Sequence, residues 1–267
     1  MTRIRSYRTA TGAGAVFMKE GPPESYDALA AEAAGLEELR SSRAVRVPRV
    51  LDVGSSATKA WLALEWLQLS TRAGRAAESA LGEQLALQHR HVAARFGWHR
   101  DNTIGLSPQL NGWSDDWATF FRERRLRYQL DLAARNGLSG RLQERAALLL
   151  ERIDEFFTDY QPVPSLLHGD LWGGNWGADD SGCPVIFDPA VYYGDREADL
   201  AMTRLFGGFG ADFYAAYHAA WPVDAGARTR RDLYNLYHVL NHANLFGAGY
   251  LPQAVALIET LISQSSS

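Results

Sequence analysis

"LLHGDLWGGNWG", residues 166–177, and "VIFDPAVYYGDREADLAM", residues 185–202, decide how this chain is read. The first segment opens on two leucines and then sets a histidine, an acid and an asparagine among four glycines. Asp170 follows an apolar approach and enters a polar loop, where its carboxylate is a candidate acceptor of a hydroxyl proton. Asn175 lies beyond Gly173 and Gly174, and paired glycines let a backbone turn closely around a ligand. Asp188 ends the strand-like "PVIF" and is followed by Pro189. Two oxygen ligands converging from neighbouring strands suit Mg2+, which prefers oxygen donors and keeps several waters. A base plus a two-ligand magnesium site is the equipment of phosphoryl transfer from a nucleotide.

The spacing sharpens that reading. "HGDLWGGN" contains D-L-x-x-x-N, the arrangement of a protein-kinase catalytic loop, and "FDPA" stands where D-F-G would follow. Gly169 replaces the arginine that precedes the kinase aspartate. The chain has neither a G-x-x-x-x-G-K-[ST] P-loop nor a G-x-G-x-x-G fingerprint, so the nucleotide is expected between two lobes. Lys19, after "AVFM", and Glu32, in the next helical segment, are candidates for the Lys–Glu pair that holds nucleotide phosphates. A lysine at a strand end is otherwise a solvated charge. "LALEWL" is expected to enter the hinge, with Glu65, Trp66 and Leu67 near the adenine; it also reads as an ordinary central strand.

Composition is compatible with this. The 267 residues suffice for one large domain or two modest lobes. A 46% hydrophobic and 22% charged content supports a sizeable core rather than disorder. The net charge of -4, without a long basic run, argues against nucleic acid as a partner. The single cysteine, Cys183, excludes an intramolecular disulfide and a cysteine-only metal site. No stretch reads as an apolar membrane span or a signal peptide, so the expected location is the cytoplasm.

Residues 1–67 read as a small α+β lobe. "IRSYRTA" and "AVFMKE" are candidate strands joined through "TGAG". "YDALAAEAAGLEELRSS" has helical spacing, "VRVPRVLDVG" is extended, and "KAWLALEWL" is a strand. Residues 68–267 read as mainly helical. "GRAAESALGEQLALQHRHVAARFG" predicts one long helix, "SDDWATFFRERRLRYQLDLAARNG" another with Ser114 as its cap, and "RLQERAALLLERIDEFFTDY" a third. "READLAMTRLFGG", "ADFYAAYHAAW" and "TRRDLYNLYHVLNHANLFG" complete the helical lobe, and the "SQSSS" tail is expected to fray.

From "VFMKE" to "HANLFG" the chain resembles the fructosamine kinase (ketosamine-3-kinase) family, itself protein-kinase-like and related to aminoglycoside phosphotransferases. The resemblance rests on "DNTIG", "PQLNGWSDDWATFFRERRL", "PSLLHGDLWGGNWG", "IFDPAVYYGDREADLAM" and "LYHVLNHANLFG". It implies ATP-dependent phosphorylation of the sugar 3-hydroxyl of ketosamines, carried by small amines or by glycated protein lysines. It implies Asp170 as base, Asn175 and Asp188 on magnesium, Lys19 on phosphate with Glu32 orienting it, His168 supporting the loop and Asp199 bracing it. Asp101, Asn102, Asn111, Trp113, Arg125 and Trp172 are candidate substrate contacts, with ribulosamine expected to be used at least as readily as fructosamine. Family members usually carry another strand and a glycine-containing turn before "RSYRTATGAGAVFMKE", so the resemblance implies either a start upstream of this sequence or a truncated N-terminal lobe. The alternatives are a kinase of another hydroxylated amine, of aminoglycoside, choline or homoserine type, or a pseudokinase acting as a binding protein.

Overall fold

In the computed structural model, which describes residues 4–11, 14–70, 74–138 and 140–264, the first segment forms four strands and a helix. β1 (Arg5–Thr11), β2 (Gly14–Gly21), β3 (Val50–Ser55) and β4 (Ala60–Glu65) make an antiparallel sheet of order β1-β2-β4-β3. β2 pairs with β1 from Arg5↔Glu20 to Thr11↔Gly14, as the expected hairpin requires; its turn, residues 12–13, lies outside the described residues. Between β2 and β3 runs α1 (Tyr26–Ser41). Leu29, Leu36 and Leu39 of α1 and Leu62 and Leu64 of β4 are buried, and the two elements pack together. Full burial of a leucine side chain contributes about 1.5–3 kcal/mol, which fixes the helix to the sheet.

The chain forms two compact units. The first holds Met1–His91, His168–Val191 and Gly207–Pro222; the second holds Val92–Leu167, Tyr192–Phe206 and Val223–Ser267. This partition differs from the expected division after residue 67. Backbone hydrogen bonds give the reason: Ile186 N–H donates to Arg46 O at 3.0 Å, and Ser70 and Ala178 exchange a pair at 2.8 and 3.0 Å. The hairpin of strands Trp176–Ala178 and Pro184–Ile186 is thereby tied to the segments flanking β3 and β4. α2 (Arg75–His89) and the helix Ala211–Ala220 pack on each other in the same unit.

α2 ends at His89, short of the predicted "RHVAARFG" extension. The backbone beyond it is taken by extended pairing instead. Ala93 N–H donates to Pro164 O at 3.0 Å, Phe96 N–H to Ser114 O at 2.9 Å, and Gly97 N–H to Tyr193 O at 2.8 Å.

The second unit is helical apart from two short pairs, Asn102–Ile104 with Ser107–Gln109 and Ser165–Leu167 with Tyr192–Gly194. The second predicted helix spans Trp117–Arg135, with a π-helical stretch over Phe121–Arg127. Its cap is Asp116 rather than Ser114: the Asp116 carboxylate accepts from Thr119 N–H at 2.7 Å. Ser114 Oγ instead donates to Asp116 O at 2.9 Å. The third predicted helix is α-helical over Arg141–Leu150 and continues as a 3-10 turn over Ile153–Phe157. The helices Glu197–Leu205 and Ala227–Phe246 follow the expected segments, and Leu251–Gln264 adds a terminal helix. No helix among the described residues is long and apolar enough to cross a membrane.

Candidate active site

Lys19 joins three elements of the first unit. Its Nζ donates to Glu32 Oε1 at 2.7 Å and to Asp188 Oδ1 at 2.8 Å. One ammonium thus joins β2, α1 and the loop after the strand Pro184–Ile186. Lys19 is 8% exposed, and a charge so enclosed is costly unless paired. Burial pulls the ammonium pKa down, but Glu32 and Asp188 outweigh this and hold it above its ordinary value. Burial pushes the Glu32 carboxyl up; Lys19 opposes that shift and Asp188 adds to it. The Asp188 side chain, 47% exposed, keeps an open face.

Two packing features bring α1 to Asp188. A Cβ on Gly35, one turn beyond Glu32 in the helix, would lie 3.2 Å from Val191 Cγ2 and 3.6 Å from Pro189 Cγ. Asp188 itself has φ 56°, a left-handed conformation that Asp adopts more readily than most residues.

The loop carrying Asp170 is held by groups on either side of it. His168 is buried; its Nε2 lies 3.0 Å from Phe187 O, and Asp170 N–H lies 3.3 Å from its Nδ1. A carbonyl only accepts and an amide N–H only donates, so the ring is the neutral tautomer with its proton on Nε2. Asn175 Nδ2 donates to Asp170 O at 2.9 Å and to Asp188 O at 3.4 Å, with Asp170 Oδ2 at 3.5 Å. The amide nitrogen thus holds the backbones of both acids. The remaining oxygen of Asn175 is the atom with metal-ligand chemistry. Trp172, 41% exposed, lies two residues beyond Asp170, with its ring over Gly174.

Gly169 explains the missing arginine. It has φ +82°, and a Cβ there would stand 2.0 Å from Ala190 O. Ala190 N–H also donates to His168 O at 2.8 Å, so the two loops touch backbone to backbone. Gly169→Ala is expected to lose at least ~2 kcal/mol of stability through a strained φ and a clash. Urea unfolding checks this, and an unchanged midpoint would contradict the close approach.

Glu65 ends β4. Its N–H donates to Arg49 O at 2.9 Å, and its carboxylate accepts from Arg49 N–H at 3.2 Å. Any adenine contact from Glu65 would therefore use its carbonyl. Trp66 lies 6.2 Å from Phe17, ring to ring, with Arg8 over its other neighbourhood at 4.9 Å. Leu67 follows directly.

The remaining candidates lie in the second unit. Asn111 and Arg125 are fully buried, and Asn102 nearly so. Arg125 donates to Leu110 O at 2.6 Å and to Asn111 Oδ1 at 2.7 Å, and its guanidinium stacks 4.1 Å from the Tyr192 ring. Asn111 Nδ2 donates to Arg100 O at 3.2 Å and to Asn102 Oδ1 at 2.9 Å. These groups are spent inside the unit, which differs from their expected role against substrate. A sequence shows which residues are polar but not which polar groups satisfy one another. Asp101 is exposed and accepts from Asn111 N–H at 2.7 Å, and Trp113 is 39% exposed. Asp199 is buried on the helix Glu197–Leu205.

Sequence reasoning missed two supports. Trp176 Nε1 donates to Gly208 O at 3.1 Å and its ring stacks on Phe209 at 5.6 Å, so "GGF" seats the strand that follows the Asp170 loop. The acids of "GDREAD" are partly architectural. Asp195 accepts from Tyr160 Oη at 2.9 Å and Glu197 N–H at 3.0 Å, and Glu197 forms a bidentate pair with Arg230 at 2.8 and 3.0 Å. A run of acids in sequence carried no sign of this pairing.

A β-rich region with a lysine–glutamate pair, an Asp/Asn loop, a second aspartate and a helical lobe define a protein-kinase-like two-lobe α+β fold. The family model described as fructosamine kinase matches residues 4–264. A "probable ketoamine kinase" from Synechocystis is 45% identical over 256 residues, covering 96% of this chain and 85% of that protein. A chloroplastic protein-ribulosamine 3-kinase from Arabidopsis thaliana is 41% identical, covering 93% and 76%. A candidate fructosamine-3-kinase structure from Thermobifida fusca superposes with a TM-score of 0.85 at 32% identity, covering 98% and 93%. An aminoglycoside phosphotransferase shares the fold alone, with a TM-score of 0.66 at 14% identity over 100% of this chain and 93% of the other. The chain belongs to the fructosamine kinase family.

Proposed function

We propose that this protein transfers the γ-phosphoryl group of ATP to the 3-hydroxyl of a ketosamine, a step that serves repair of glycated amines. The observation that carries the reading is Lys19, hydrogen-bonded to both Glu32 and Asp188 in the unit that also holds Asp170 and Asn175. The Asp170 carboxylate takes the proton of the sugar hydroxyl as its oxygen attacks the γ-phosphorus; the bond to ADP breaks and the phosphate ends on that oxygen. Lys19 supplies positive charge to the phosphates, and Glu32 holds it there. His168 and Asn175 keep Asp170 in place through its backbone.

The residues fit a magnesium ion. Lys19 occupies Asp188 Oδ1, which leaves Oδ2, and the Asn175 amide nitrogen is engaged, which leaves its oxygen. Two oxygens from the protein are what Mg2+ commonly takes beside phosphate and water. When bound, the ion neutralises charge on the phosphates. Asp188→Ala is expected to weaken MgATP binding by about tenfold or more while changing metal-free ATP binding far less. Calorimetric titration with and without Mg2+ checks this; an equal magnesium dependence in parent and variant would argue against coordination.

The relatives described as ketoamine and ribulosamine kinases support the substrate class. Trp172, 41% exposed in the unit that holds Asp170, is a candidate to meet the sugar. The substrate reading is tested by competing ribulose-lysine, fructose-lysine, choline and homoserine under one MgATP condition, with product mapping. Phosphate on the third hydroxyl of a ketosamine, with ribulosamine used at least as readily as fructosamine, is expected. Exclusive transfer to choline or homoserine would overturn the ketosamine assignment. Absent MgATP binding would point to a binding protein without turnover.

A further inference from the structure

Arg46 lies between α1 and β3 and takes no part in the chemistry above. Its backbone and its side chain nevertheless reach two parts of the proposed nucleotide site. Its carbonyl accepts from Ile186 N–H at 3.0 Å, two residues before Asp188. Its guanidinium pairs with Asp179, at the turn of the hairpin leading to Asp188, and lies 3.4 Å from Glu65 Oε1 at the end of β4. Asp179 is preset for this contact. Its Oδ1 accepts from Ser181 N–H at 2.9 Å, Ser181 Oγ at 2.6 Å and Cys183 N–H at 3.0 Å, while Oδ2 faces Arg46. The Ser181 hydroxyl, then the backbone donors and Arg46, hold the Asp179 carboxyl below its ordinary range. Glu65 is preset by Arg49, whose N–H lies 3.2 Å from its Oε2.

We infer that Arg46 is a positioning residue that ties the adenine end of β4 to the hairpin carrying Asp188, and so sets the affinity for nucleotide. The inference rests on the reading of this site as an MgATP site. An isolated surface ion pair is worth little. Here a planar guanidinium meets two carboxylates that are already oriented by other donors, so less freedom is lost on pairing. The carbonyl bond to Ile186 places the same residue beside the metal end. Without the guanidinium, Glu65 and Asp179 lose their shared partner, and the two ends of the nucleotide are no longer held to one spacing.

The test is calorimetric binding of MgATP and steady-state kinetics on intact protein. Arg46→Ala is expected to weaken MgATP binding about five- to tenfold, within the coupling range of charged networks. The loss should fall on the KM for MgATP and not on the KM for the ketosamine. It should shrink as salt is raised from about 0.05 to 0.5 M, because a half-exposed charge contact is screened. Arg46→Lys should recover part of the affinity, since an ammonium reaches one carboxylate but lacks the fork. Asp179→Asn keeps the Oδ1 turn and removes the charge; it should reproduce the loss, and the double variant should be no worse than either single one. MgATP affinity unchanged in both Arg46 variants, additive losses in the double variant, or an equal rise in ketosamine KM would each overturn the inference while leaving the kinase reading intact. Absence of MgATP binding by the parent would overturn both together.

Discussion

Asp170→Asn is expected to fold like the parent and to phosphorylate its ketosamine about 100- to 10,000-fold more slowly, the usual contribution of a positioned general base. The substitution preserves volume. It also preserves the backbone contacts of the loop: Asp170 N–H to His168 Nδ1, and Asp170 O to the Asn175 amide at 2.9 Å and the Trp172 N–H at 3.1 Å. The substitution removes the carboxylate that would accept the proton. Steady-state turnover at saturating MgATP measures the effect, alongside thermal melting. An unchanged kcat would remove Asp170 from the role of base, and a large fall in melting temperature would show that its carboxylate is structural.

Lys19→Met is expected to reduce turnover about 100-fold or more, the scale on which removing one fixed electrostatic donor acts. Methionine keeps the buried stem and deletes the charge. Glu32, its side chain only 16% exposed, then loses its cation, and breaking a buried pair from one side costs up to about 3–5 kcal/mol. Burial already raises the Glu32 pKa in the parent. Loss of Lys19 removes the opposing pull and raises it further. A carboxyl that holds its proton longer in the folded than in the unfolded chain makes stability fall as pH rises through that interval. The variant should therefore lose more melting temperature than the parent as pH rises above the ordinary carboxylate range. Glu32→Gln added to Lys19→Met should abolish that extra slope, whereas turnover should stay low. Full activity of Lys19→Met over an ATP series would defeat the phosphate role.

Much of the site was legible because its signals are local. D-L-x-x-x-N, the strand-ending Asp188 and the lysine after "AVFM" are each fixed within a few residues, and the short apolar run in "KAWLALEWL" reads as a buried strand. The helix α1 followed from its spacing as well. Its exact seat did not: that depends on Gly35 meeting Val191, a contact 156 residues away in the chain.

The amino-acid sequence by itself determined the strands and helix of the first 67 residues, most of the later helices, the family, and the candidate base, lysine pair and metal oxygens, since backbone geometry converts short spacings directly into shared faces. Tertiary structure decided which polar residues are available. It buried Arg125 and Asn111 against each other, committed Glu197 to Arg230, ended α2 at His89 where extended pairing claimed the following backbone, and joined Arg46 to Asp179 across 133 residues. The physical reason is that a buried donor or acceptor must find a partner within the folded chain. Which partner it finds depends on where distant segments meet, and no local spacing encodes that.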